Sequence, residues 1–214
     1  MIMIVGGTRS RKRVEILREL GWGRMVIDKA IRPYEGKPWG FDNGAYRDHL
    51  RGEPFNESAF LRRLDRAYSL GTPYLAVAPD IVCGGVKSLE FSLQWLDQLP
   101  GDWPWYLAVQ DGVKLADVEP VLHRFAGIFL GGSDAFKNTA YYWKELAHRY
   151  GKCFHYARAG TGRKIARAAR VGADSCDSAF PLWAAQRFRE FVRLFENAEF
   201  EPELWPEELI ASAP

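Results

Sequence analysis

The chain is poor in the residues that build metal and disulfide sites. Of its 214 residues, three are cysteine and four are histidine. Cys83, Cys153 and Cys176 lie far apart, are odd in number and form no C-x-x-C pair. That spacing argues against a disulfide framework and against structural zinc. Long apolar runs are also missing, so no segment is expected to span a bilayer. Met1-Ile2-Met3-Ile4-Val5 lacks a basic n-region and is too short for the apolar core of a secretory leader, so none is expected. A cytoplasmic protein without a membrane partner is expected. Charge of one sign is scarce too: 29 Lys and Arg against 27 Asp and Glu leave a formal +2. A balance so close to zero does not by itself imply nucleic acid.

Aromatic residues, in contrast, are plentiful, with eight Trp, nine Tyr and thirteen Phe, and 47% of the chain is apolar. The length suits a single domain with a sizeable core. We place it at residues 1–197, followed by a surface extension at 198–214 that carries Pro202, Pro206 and several Glu. Basic residues cluster at Arg9-Ser10-Arg11-Lys12-Arg13 and again at Arg163, Lys164, Arg167 and Arg170.

Short apolar runs closed by Gly, Pro or Asp alternate with amphipathic stretches. Strands are expected at 2–5, 24–28, 37–42, 74–80, 105–111, 127–132, 153–158 and 174–177, with residues 43–46 as a loop. Helices are expected at 11–20, 57–70, 88–99, 116–123, 138–150, 163–170 and 182–194. The second of these should turn Phe60, Leu61, Leu64, Ala67 and Tyr68 inward. Continuous apolar strands imply a parallel sheet covered on both faces. Eight such units predict an α/β fold closed as a (β/α)8 TIM-type barrel, with an open doubly wound sheet as the alternative.

The expected strand ends carry Asp28, Asp42, Asp80, Gln110-Asp111, Gly131-Gly132, Arg158 and Asp177. In a barrel these ends converge on one pocket. Several chemistries fit that set. Carboxylates alone could hold magnesium or manganese. Gly131-Gly132-Ser133 could cradle a phosphate with backbone N–H groups. Two carboxylates across a pocket could divide a glycosidic displacement, one attacking the anomeric carbon and the other moving protons. His155 lies within a strand and reads as a packed core histidine. Asp28 and Asp174 read as structural, the latter because it sits three residues before Asp177 on a strand of period two.

Five segments, taken in order, resemble the tRNA-guanine transglycosylase superfamily, and most closely its short phage and bacterial members that insert deazaguanine bases into DNA. Phe41-Asp42-Asn43-Gly44-Ala45-Tyr46 is similar to the family's SDSGGFQ segment, and Ala78-Pro79-Asp80 falls at its base-recognising aspartate. Val109-Gln110-Asp111-Gly112 resembles its VQG segment and Gly127-Ile128-Phe129-Leu130-Gly131-Gly132 its GLAVGE segment. Gly172-Ala173-Asp174-Ser175-Cys176-Asp177 is similar to its G-x-D-x-x-D. The likeness runs from about Phe41 to Phe180 and itself implies a (β/α)8 barrel.

The resemblance implies Asp177 as nucleophile and Asp42 as general acid/base. It implies Asp80, Gln110 and the Gly131-Gly132 backbone as base contacts. Tyr46, Phe136 or Trp183 could stack on the base. Lys137, Arg158, Arg163 and Arg167 are candidate phosphate contacts. The family's C-x-C-x-x-C zinc insertion has no counterpart, and Ser133 stands where the family has glutamate. No metal and no cofactor are therefore expected. The activity implied is exchange of guanine in a nucleic acid for a deazaguanine base, through a covalent aspartyl-glycosyl intermediate. The expected partners are DNA, or tRNA in its place, and a free deazaguanine base, with a homodimer or accessory proteins compatible with the sequence. Two other classes stay open. One is a nucleoside or phosphosugar enzyme using the same pocket, and the other is a non-catalytic nucleic-acid-binding barrel.

Overall fold

The computed structural model describes residues 1–7, 10–27, 33, 35–179, 189, 192 and 193. Eight parallel strands close into a barrel in sequence order, β8 pairing back onto β1. The strands are β1 (Ile2–Val5), β2 (Gly23–Val26), β3 (Trp39–Phe41), β4 (Leu75–Val77), β5 (Trp105–Val109), β6 (Gly127–Leu130), β7 (Cys153–Tyr156) and β8 (Ser175–Ser178). The protein is a (β/α)8 barrel, and the open-sheet alternative is excluded by the β1–β8 pairing.

Strand alternation sorts the side chains into two cores. Met3, Val5, Phe41, Ala76, Leu107, Val109, Ile128, Leu130, Phe154, Tyr156 and Cys176 face the surrounding helices. Ile4, Met25, Leu75, Val77, Tyr106 and Ala108 fill the barrel itself. This two-residue period explains why the strands read as unbroken apolar runs: both faces are covered. It also fixes which polar residues point inward. Continuing the inner rows along each strand brings Asp42, Gln110, Gly131 and Asp177 to the barrel's mouth.

The helices are α1 (Arg11–Glu19), α2 (Ala45–Leu50), α3 (Glu57–Tyr68), α4 (Val86–Leu96), α5 (Leu115–Val118), α6 (Ala140–Arg149) and α7 (Gly162–Arg170). Asn56 caps α3 by accepting from the Ala59 N–H, and Thr161 caps α7 by accepting from Lys164. The buried stripe of α3 is Phe60, Arg63, Leu64 and Ala67. Leu61 and Tyr68, expected inward, are exposed, because a 3.6-residue period through Phe60 and Leu64 leaves both off the stripe. Tyr68 instead lies flat against Trp103, ring centroids 5.9 Å apart.

Two further expectations change. Residues 43–46, expected as a loop, contain the start of α2. Asp80, Gln110 and Arg158, expected at strand ends, lie beyond β4, β5 and β7, in the loops at the C-terminal face. The helix expected at 182–194 is described only at Arg189, Val192 and Arg193, which are helical. Asp28, Trp183 and the extension at 198–214 lie outside the described residues. No helix among the described residues is long and apolar enough to cross a membrane.

Candidate active site

A cavity of about 150 Å³ opens at the C-terminal end of the barrel. Its lining includes Asp42, Asn43, Tyr46, Asp80, Gln110, Phe129, Gly131, Gly132, Arg158 and Asp177. Drug-sized ligands usually occupy about 300–1,000 Å³, so this space suits one small ring system.

Asp177 points inward from β8. Its Oδ1 accepts two hydrogen bonds, from Nε2 of His155 and from the Arg158 N–H, each at 3.0 Å. Oδ2 has no partner among the described residues and is left to the pocket. Asp42 follows β3, and its Oδ1 accepts from the Gly44 N–H at 2.6 Å. Burial raises the Asp42 pKa above its ordinary value; the Gly44 N–H opposes this and the charge of Asp177 adds to it. The pocket therefore holds one anchored carboxylate and a second one inclined to keep a proton.

Asp80 comes from the loop after β4, across the barrel from β8. Its oxygens accept from Asn43 Nδ2 at 2.7 Å and from Gln110 Nε2 at 3.2 Å. Burial, against the Asn43 hydrogen bond and with the charge of Asp42, pushes its pKa up to about 6. Gln110 is less free than a base-reading role needs. Its Oε1 accepts from the Cys83 N–H at 2.7 Å, and its Nε2 also meets the Ile81 carbonyl and Ser88 Oγ. Gln110 lines the pocket but ties the β4 and β5 loops together.

Of the two glycines, Gly131 spends its N–H on the Val109 carbonyl at 2.8 Å. Gly132, with φ +74°, is the one able to offer its N–H to a ligand; a Cβ there would lie 2.7 Å from Asp111 Oδ2 and 2.8 Å from the Phe136 ring. Asp111 accepts from the Ser133 N–H and hydroxyl, both at 2.6 Å, and so pins this loop. Phe136 packs against Trp143 under the same loop and is absent from the pocket lining.

Tyr46, on α2 after β3, and Arg158, in the loop after β7, come from opposite sides of the barrel and meet over the cavity. The guanidinium lies 4.5 Å from the Tyr46 ring centroid and donates to the Gly132 carbonyl at 2.7 Å. A base stacking on Tyr46 would take the place now held by Arg158. Arg158 has φ +54°, and this left-handed turn aims its N–H at Asp177.

The candidate phosphate contacts separate. Lys137 is 1% exposed, donates to the Ala157 carbonyl and sits over the Tyr156 ring. Burial, with repulsion from Arg158, pushes its pKa down to about 7. A side chain so enclosed cannot meet a phosphate, and its expected role is corrected to a tie between the β6 and β7 loops. Arg163 and Arg167 line a second, open cavity of about 590 Å³ with Asp134, Asn138, Thr161 and Lys164. Lys164 there pairs with Asp134 at 2.6 Å. This basic groove lies just beyond Gly132 and Arg158, in the loops after β6 and β7.

Three contributors were given no part in the site by the sequence reading. Asn43 bridges the Ala78 carbonyl and Asp80, and its own Oδ1 accepts from the Ala45 N–H, starting α2. Arg63, buried on α3, donates to the Asn43 carbonyl beneath Gly44. Gly44 is left-handed at φ +82°, and a Cβ there would lie 2.4 Å from Arg63, so the turn under Asp42 requires glycine. The third is His155, expected as packing, whose Nε2 touches the Asp177 carboxylate. Asp174 behaves as expected: it faces away from the pocket, accepting from the Phe154 N–H and lying 3.0 Å from His148. Among the described residues, no three His, Cys, Asp or Glu side chains group as metal ligands.

Fold and pocket together define a (β/α)8 barrel with a carboxylate-lined cavity at its C-terminal face, the usual place for catalysis in this architecture. In comparisons with known proteins, no family model and no curated protein matches the chain.

Proposed function

We propose that the protein is a transglycosylase that exchanges guanine in a nucleic acid for a deazaguanine base, acting on DNA in preference to tRNA. The observation that carries this reading is the pair Asp177 and Asp42. One carboxylate is anchored through a single oxygen with the other oxygen open to the pocket, as a nucleophile needs. The second has its pKa raised by burial and by the first, as a proton carrier needs.

In this reading Asp177 Oδ2 attacks C1′ while the C1′–N9 bond breaks. The electron pair goes to the purine, which takes a proton from Asp42. The incoming base then reverses the steps. Asp80 accepts from the N–H groups of the base edge, and the Gly132 N–H donates to its carbonyl. In a duplex the target nucleotide must be flipped out, costing a few kcal/mol. Arg163 and Arg167, in the groove next to the pocket, supply cations for the flanking phosphates. The missing counterpart of the zinc insertion favours DNA by analogy alone.

The test is exchange of labelled guanine into DNA, tRNA and free guanosine by the purified protein. Incorporation into DNA well above the other two is expected. Exchange with guanosine alone would instead support a nucleoside enzyme, and no exchange with any of them would overturn the reading.

A pH dependence follows from Asp80. It must be ionised to accept from the base, and it titrates near 6. We expect kcat/KM to fall about tenfold per pH unit below pH 6 from this group. A profile flat from pH 5 to 8 would contradict its role. Stability moves the opposite way. The folded pKa lies above the ordinary carboxylate value of 3.8, so Asp80 favours the fold below about pH 4 and that contribution is lost as pH rises through 6.

A further inference from the structure

His155 has no role in the chemistry described so far, yet its surroundings exceed what packing requires. The residue is fully buried inside the barrel. Its Nδ1 lies 2.8 Å from Ser175 Oγ and its Nε2 lies 3.0 Å from Asp177 Oδ1. The ring is stacked on Phe129, centroids 4.8 Å apart and planes 8° apart, which holds it against rotation. A carboxylate only accepts, so the Nε2 facing it carries the proton, and Ser175 at Nδ1 holds that tautomer in place. Phenylalanine or leucine would fill this space without a polar atom to satisfy.

The register explains the meeting. His155 pairs with Ser175 across the β7–β8 ladder, and Asp177 is the next inward residue on β8. The loop after β7 adds a second donor to the same oxygen, the Arg158 N–H. That donor depends on the left-handed φ of Arg158, a conformation disfavoured in non-glycine residues and often found at functional sites.

We propose that His155 is a positioning residue for Asp177, holding Oδ1 so that Oδ2 faces the anomeric carbon and stabilising the carboxylate when it leaves the sugar. The proposal rests on the transglycosylase reading. In the first displacement Asp177 begins as a carboxylate and loses charge as the Oδ2–C1′ bond forms, so the donor helps mainly by orientation. In the second, N9 of the incoming base gives its proton to Asp42 and attacks C1′. The C1′–Oδ2 bond breaks and its electron pair returns to Asp177. The returning charge is shared with Oδ1, where His155 donates, so this half depends on the donor more strongly.

The experiment compares wild type with His155→Phe and His155→Gln. Phenylalanine keeps the ring without a donor, and glutamine keeps an N–H near the position of Nε2. Steady-state exchange is measured along with the fraction of enzyme carrying the sugar when the reaction is quenched. For His155→Phe we expect exchange slower by ~10–100-fold, the range for losing a hydrogen bond to a charged group. We also expect a larger fraction held as adduct. For His155→Gln we expect recovery of most of the rate and a near-normal fraction. Ser175→Ala, which frees Nδ1, serves if His155→Phe does not fold, and should shift rate and adduct in the same direction by a few-fold. A wild-type rate in folded His155→Phe, or in Ser175→Ala where His155→Phe does not fold, overturns the proposal. So does an equal loss in His155→Phe and His155→Gln with no change in the adduct fraction. If wild type itself neither exchanges nor forms an adduct, the transglycosylase reading fails first.

Discussion

Asp177→Asn is expected to abolish base exchange, lowering it by ~10⁴-fold or more, with the fold intact. An amide oxygen is a far weaker nucleophile than a carboxylate, and losing a covalent nucleophile usually removes nearly all the chemical acceleration. The fold survives because the asparagine oxygen can still accept from His155 and from the Arg158 N–H, the two contacts that Asp177 Oδ1 now makes. Exchange rates and a melting curve check both halves of the statement. Removing the charge also takes away one of the influences that raise the Asp42 pKa, so Asp42 should titrate lower in this variant than in wild type. A variant that exchanges as fast as wild type would show that the nucleophile lies elsewhere.

Asp42→Asn is the second large effect. Asp42 lies in the left-handed turn at Gly44, where Asn43 and Arg63 hold the backbone, and its side chain reaches into the cavity that Asp177 enters from β8. General acid–base groups contribute about 10²–10⁴-fold. Loss on that scale is expected in both displacements, since the same proton is given to the departing base and taken from the incoming one. The asparagine oxygen can keep the Gly44 N–H bond, so the turn should hold. Burial disfavours the ionised form of Asp42, so the neutral amide should leave stability unchanged or raise it. Lower activity together with an unchanged or higher melting temperature would separate a proton carrier from a structural aspartate. A large drop in melting temperature would indicate that Asp42 serves mainly as a turn residue.

The fold was legible because the barrel is doubly covered. Eight short runs, seven of them ended by glycine, proline or a carboxylate and the seventh in order by Arg158, have few other ways to bury both faces. What the runs concealed was their ends. Tyr74-Leu75-Ala76-Val77-Ala78-Pro79-Asp80 reads as one strand, yet pairing stops at Val77 and Asp80 belongs to the loop. Residues 43–46, the start of α2 included, read as a loop because Asn43-Gly44 carries a turn signal; tertiary contacts to Asn43 and Gly44 start the helix there.

The two carboxylates of the proposed chemistry were visible because inward alternation carries Asp42 and Asp177 to the mouth. Gln110 and Lys137 show the limit. Side-chain type suggested a base contact and a phosphate contact, but neighbours from distant loops, Cys83 and Ala157, have claimed them. His155 is the packed core histidine expected, stacked on Phe129, but it also reaches Asp177. Its inward position on β7, next to a strand carrying Ser175 and Asp177 at a spacing of two, already implied contact with Asp177.

The central claim is that Asp177 forms a covalent bond to the sugar. The direct measurement is a denaturing gel of the protein incubated with guanine-containing DNA and quenched before turnover is complete. A protein–DNA adduct that resists denaturation, is absent in Asp177→Asn and disappears when a deazaguanine base is added is the predicted result. No adduct from a wild-type protein that nevertheless exchanges bases, or an equal adduct from Asp177→Asn, would contradict it.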